Sequence, residues 1–122
     1  MTVQELYEEI GADYEQAKKV LRVDKLIDKH IRKLPANGVV DTLLEAGEAM
    51  DPTAMFETSH AVKGICANLG LTSIADAASV ISEEFRPGNP RTMSDEEVKA
   101  KLGFIRETYE KTKAGIARYT EG

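Results

Sequence analysis

A chain of 122 residues, 42% hydrophobic and 30% charged, has the makeup of a soluble globular protein with one core. Aromatic residues make up only 6% and tryptophan is absent, so the core must rest on aliphatic side chains and alanine, which favours packed helices over a sheet. A formal net charge of -5 argues against nucleic acid, one cysteine excludes an intrachain disulfide, and the lack of a signal-peptide pattern or an apolar run of about 18 residues predicts a cytoplasmic chain with no membrane partner.

Helical signals run almost throughout. Thr2 with Glu5 spells a capping box for a short first helix ending near Gly11, and Asp13 can cap a long second helix running to about Leu34. Pro35, Asn37 and Gly38 then break the chain. A third helix, about Val39 to Ala49, carries Val40, Leu43, Leu44, Gly47 and Met50 on one face. Asp51 followed by Pro52 gives an N-cap and a proline at the first helical position, the start of a helix that reaches nearly to Gly70. Ser73 can cap a fifth helix with the stripe Ile74, Ala78, Ile81 and Phe85, which stops before Pro87. Ser94 with Glu97 opens a final helix carrying Val98, Leu102, Ile105, Tyr109, Thr112, Ile116 and Tyr119 in sustained 4-3 spacing. Short connections between such helices predict an all-α fold, an antiparallel four-helix bundle with additional short N-terminal helical segments, in a single domain over 1–122. No strand-period run, internal repeat or dividing linker is present.

The fourth helix holds the chemistry. Its apolar stripe is Met55, Ser59, Val62, Cys66 and Leu69, spaced 4-3-4-3. At about 100° per residue, His60 sits at about 160° from Val62, well outside the stripe. Lys63, Gly64 and Ala67, at i+3, i+4 and i+7, share its outward face. Imidazole can offer a nitrogen lone pair to phosphorus near neutral pH, and lysine is a compact cation that can sit against phosphoryl oxygens. A glycine inside a helix costs about 1 kcal/mol relative to alanine, and close approach of another molecule is a reason to carry one. Together they suit reversible phosphorylation of an imidazole.

The run His60, Lys63, Gly64 and Gly70, with apolar Val62 and Leu69, resembles the signature of histidine-containing phosphotransfer (HPt) domains. The resemblance covers most of the chain, including the order of helices around the motif. It implies a phosphorelay carrier in which His60 accepts a phosphoryl group from the aspartyl phosphate of one receiver domain and passes it to another. Lys63 would stabilise the phosphoryl group and Gly64 would clear the way for the docking partner. The partners implied are response-regulator receiver domains, including those of hybrid sensor histidine kinases. The chain departs from the family at Ile65 and Cys66, where small polar residues are frequent, and at Ser59, where alanine is frequent. Ser82 matches the place of a glutamine that orients the imidazole in some members. It shares a flank with Ser79 and Arg86. Arg86 is either a second cation near the phosphoryl site or an ordinary surface arginine at a helix C-terminus. The outward surface for docking is expected to include Phe56, Ala67 and Leu71; Phe56 has an equal alternative, packing beneath the third helix or the N-terminal turns.

Other chemistries fit less well. Cys66 and His60 lie about 240° apart on their helix and cannot form a nucleophile-base pair. His30, near a helix C-terminus, suits a dipole interaction. Two distant histidines and one stripe cysteine do not make a metal set, and no nucleotide motif is present, so the chain is expected to have no intrinsic cofactor and no kinase activity of its own. Mg2+ is expected in the partner receiver. The basic residues from Lys18 to Lys33 are interrupted by Asp24 and Asp28, as in a solvated helix face. An adaptor or inhibitor that binds receivers or kinases without transfer is the main alternative. A helical dimerisation bundle would need a further apolar face, and none is clear, so a monomer is expected. Met1 and the cap at Thr2 favour an independent protein over a kinase fragment.

Overall fold

Caps made within a single turn set most of the helix starts. The computed structural model describes residues 1–122, and its regular elements are seven helices with no strand. In α1 (Val3–Ile10) the Thr2 hydroxyl accepts from the Glu5 amide at 3.1 Å while the Glu5 carboxylate accepts from the Thr2 amide at 2.8 Å. Asp13 caps α2 (Tyr14–Leu21), accepting from the Gln16 amide at 3.0 Å. Then follow α3 (Asp24–Asn37) and α4 (Val39–Ala49). Asp51 caps α5 (Pro52–Asn68) through the Ala54 amide, with Pro52 at the first position. After α6 (Thr72–Glu84), the Ser94 and Glu97 capping box opens α7 (Asp95–Glu121).

Four sequence expectations need correction. His30 is not near a helix C-terminus: it sits midway along α3 (Asp24–Asn37), about two turns before its end and outside the reach of the dipole there. The long second helix is two helices, α2 and α3, because Arg22 adopts a left-handed φ of 73° and Val23 is extended. The break lets α2 bury Ala17 against α5 while α3 turns Ile27, Ile31 and Leu34 towards α7 and α1, which one straight helix could not do. Pro35 does not end α3, which continues to Asn37 and stops at Gly38 with φ 74°. Ser73 is not the cap of α6; that helix begins at Thr72 after Leu71, with no side-chain cap bond. Basic residues of α2 and α3 are engaged within the chain, Lys18 with Asp24 at 3.1 Å and Arg32 with Asp28 at 2.8 Å.

One contiguous core draws side chains from all seven helices, with Leu6, Tyr7, Ile27, Ile31, Leu43, Met55, Val62, Ile81 and Ile105 fully buried. Each large aliphatic contributes about 1.5–3 kcal/mol by burial against about 1 kcal/mol for a cap, so packing dominates the fold and caps fix its boundaries. Helix α5 packs against α4 and α6, α6 against α7, and α7 back against α4; α1 and α3 lie on α7, and α2 lies on α5. No helix is long and apolar enough to cross a membrane.

The end of α5 is pinned by residues from the chain's beginning. Gly70, at φ 73°, closes a Schellman turn in which its amide bonds Ala67 O at 3.1 Å and the Leu71 amide bonds Cys66 O at 2.8 Å. The Asp13 amide donates to Gly70 O at 2.8 Å, and the buried Tyr7 hydroxyl donates to Leu69 O at 2.6 Å. A Cβ at Gly70 would run into the Asp13 carbonyl. This motif glycine is therefore required by the fold.

Candidate functional site

Helix α5 divides cleanly by face. Met55, Ser59, Val62 and Cys66 are buried, His60 and Gly64 are exposed, and Phe56, Lys63 and Ala67 are half-buried. The polar member of the buried stripe is satisfied locally, since the Ser59 hydroxyl donates to Met55 O at 2.6 Å. Burial pushes the Cys66 thiol up to about 12, so it is not a nucleophile at ordinary pH.

Around His60 the structure assembles residues from two helices. The Phe56 ring stacks on the imidazole with centroids 5.6 Å apart and planes 24° apart. The Arg86 guanidinium, just beyond α6, lies 5.8 Å from the Phe56 centroid. Arg86 is in turn paired with Glu83, Nη2 to Oε1 at 2.6 Å. That bond, followed by the charges of Arg86 and Lys63, holds the Glu83 carboxyl below the usual carboxylate range. Lys63 thus lies within the field of Glu83 while forming no ion pair of its own.

Gly64 stands one turn after His60, and a Cβ placed there would meet nothing within 4 Å. The contrast with other helical glycines is direct: a Cβ at Gly47 would collide with Leu102, and one at Gly115 with Ile10. Those two let helices approach each other, whereas no neighbour in the chain needs Gly64. Gly103 in α7 is also open, but no histidine stands one turn before it.

Two expected contact residues are not on this surface. Leu71 is 4% exposed, because the turn at Gly70 folds it back into the core. Ser82 is 0% exposed, because α6 is covered by both α5 and α7 and buries Ala78, Ile81 and Ser82 together. The Ser82 hydroxyl has no hydrogen-bond partner, so it does not orient the His60 ring. Phe56, Ala67 and Arg86 do reach the surface near or beside the histidine. The only sequence signals for Glu83 and for the pairing of Phe56 with His60 are the i,i+3 spacing of Glu83 to Arg86 and the i,i+4 spacing of Phe56 to His60.

A cavity of about 260 Å³ opens beside α5, lined by Leu21, His30, Leu34, Ile65 and Leu69 among others; neither His60 nor Lys63 lines it. No cluster of three or more metal-ligating side chains is present. No protein-family model, curated protein or solved structure matches the chain.

Proposed function

We propose that this chain is a histidine phosphotransfer carrier of the HPt type, taking a phosphoryl group on His60 from the aspartyl phosphate of one receiver domain and handing it to the aspartate of another. An imidazole nitrogen attacks phosphorus, the phosphorus–oxygen bond to the donor aspartate breaks, and the carboxylate leaves with the bonding pair. The imidazole N–H proton passes to solvent, and the second transfer reverses these steps. Lys63 stabilises charge on the phosphoryl oxygens, while Mg2+ and the acidic pocket belong to the receiver.

The observation that carries this function is Gly64. A helix interior tolerates glycine at a cost of about 1 kcal/mol, and here no intramolecular contact offsets it. A partner surface brought against the exposed His60 would use the missing side chain. The unpaired Lys63 beside it supports the same function. Phe56, Ala67 and Arg86 form the flanks of the dock.

The architecture we propose is an antiparallel four-helix bundle of α4 to α7 with α1 to α3 as additional N-terminal segments, in one monomeric, cytoplasmic domain. The closed ring of contacts from α4 through α5, α6 and α7 back to α4 supports it.

The test is to incubate the protein with a panel of receiver domains charged by a small-molecule phosphodonor, following acid-labile phosphate by intact mass on wild type and His60→Gln. Label on the wild type and none on the variant is the expected result. Receivers that bind without transfer would instead make the protein an adaptor. A full panel that neither binds nor transfers would overturn the proposal.

A further inference from the structure

We infer that Phe56 is a positioning residue for His60, its stacked ring holding the imidazole in one orientation in place of a hydrogen bond. This rests on the carrier function proposed above and names how its nucleophile is aimed.

An exposed histidine on a helix samples several rotamers, and the one polar group expected to fix it, the Ser82 hydroxyl, is buried without a partner. What does lie against the ring is Phe56, one turn earlier on the same helix, at 5.6 Å and 24°. Phe56 is itself anchored. It is half-buried and packed against the core, and the Arg86 guanidinium 5.8 Å from its centroid is fixed by Glu83 at 2.6 Å. A line of contacts therefore runs from the end of α6, through Glu83, Arg86 and Phe56, to the imidazole.

Stacking suits the chemistry because it covers the face of the imidazole and leaves the edge free. The nitrogen lone pair lies in the ring plane, so an edge turned outward is the geometry that attacks phosphorus. An aromatic pair of this kind favours the stacked rotamer by about two- to tenfold. A hydrogen bond would occupy one ring nitrogen, whereas a stack occupies neither.

The experiment uses phosphoramidate, a donor that needs no docking surface: its phosphorus–nitrogen bond breaks, ammonia leaves, and the phosphoryl group moves to the imidazole. Proton spectra report the ring-current shift of the His60 ring, and phosphorus spectra report which ring nitrogen is modified. Wild type and Phe56→Tyr are expected to show displaced His60 ring protons and one dominant phosphohistidine isomer. In Phe56→Leu the ring protons should move towards free-imidazole positions and the isomers should mix. Transfer from a charged receiver should fall by about two- to tenfold. Unchanged ring shifts and isomer ratio in Phe56→Leu overturn the inference. If that variant does not fold, cross-relaxation between the Phe56 and His60 rings in the wild type decides, and its absence overturns the inference equally. A protein that takes no phosphoryl group from any receiver refutes the carrier function, while the ring shifts still report separately on the stack.

Discussion

Gly64 and Gly70 stand six positions apart in one motif and answer to different demands. Gly64→Ala meets no atom of its own chain, so the methyl group should raise stability in urea unfolding by about 0.5–1 kcal/mol, the ordinary helix propensity gain. In a carrier the same methyl stands in the receiver's path, and transfer is expected to slow by about tenfold or more. Added stability with unchanged transfer would remove Gly64 from the dock. Gly70→Ala should do the opposite: with φ 73° and the Asp13 carbonyl in the way, it should lose at least about 2 kcal/mol in thermal unfolding. Lys63→Ala is a third case. The lysine holds no ion pair, so stability should stay within about 0.5 kcal/mol, while on the proposed carrier function transfer through His60 should drop by about ten- to a hundredfold in single-turnover assays.

At the scale of elements, the segment joining α6 to α7 is organised by one carboxylate. Glu84 is buried, accepting from the Met93 amide at 2.9 Å, the Thr92 amide at 2.9 Å and Arg91 Nε at 2.7 Å. The Met93 amide, together with Arg91 and Thr92, holds its carboxyl down to about 2. A depressed folded value contributes stability above the unfolded value of 4.5 and loses it as pH falls towards 2. Glu84→Gln should therefore be less stable than wild type at pH 7, with the gap between their urea midpoints closing between pH 4.5 and 2; a gap constant with pH would assign Glu84 no such role. Nothing in the sequence singles Glu84 out, since its partners lie beyond the Pro87, Gly88 and Pro90 loop. The caps at Thr2, Asp51 and Ser94, by contrast, were legible because each is completed within one turn. The outward placement of His60, Lys63 and Gly64 was legible for a similar reason, as helical phase alone fixes it. The break at Arg22 and the burial of Leu71 and Ser82 were not. Each depends on what packs against the segment from elsewhere: α5 on α2, the Gly70 turn on Leu71, and α5 with α7 on Ser82.

For the whole molecule, the seam between the N-terminal helices and the end of α5 ties the site to the rest of the fold. Tyr7→Phe deletes the hydroxyl that meets Leu69 O and leaves a buried carbonyl unsatisfied, a loss of about 1–2 kcal/mol expected in urea unfolding. A loss near zero would mean that water replaces the hydroxyl there. The seam also has a kinetic side. Tyr7 and Leu69 are 62 positions apart, and closing a loop of that length costs about 4 kcal/mol of chain entropy. Contacts within α5 and α6 form across a short turn and need no such closure. The N-terminal segments should therefore dock late during folding and leave first during partial opening, unlatching the far end of the histidine helix while its centre stays wound. The Asp13 amide, whose partner is Gly70 O, is the natural clock for that event, and its hydrogen should exchange with solvent well before those at the middle of α5.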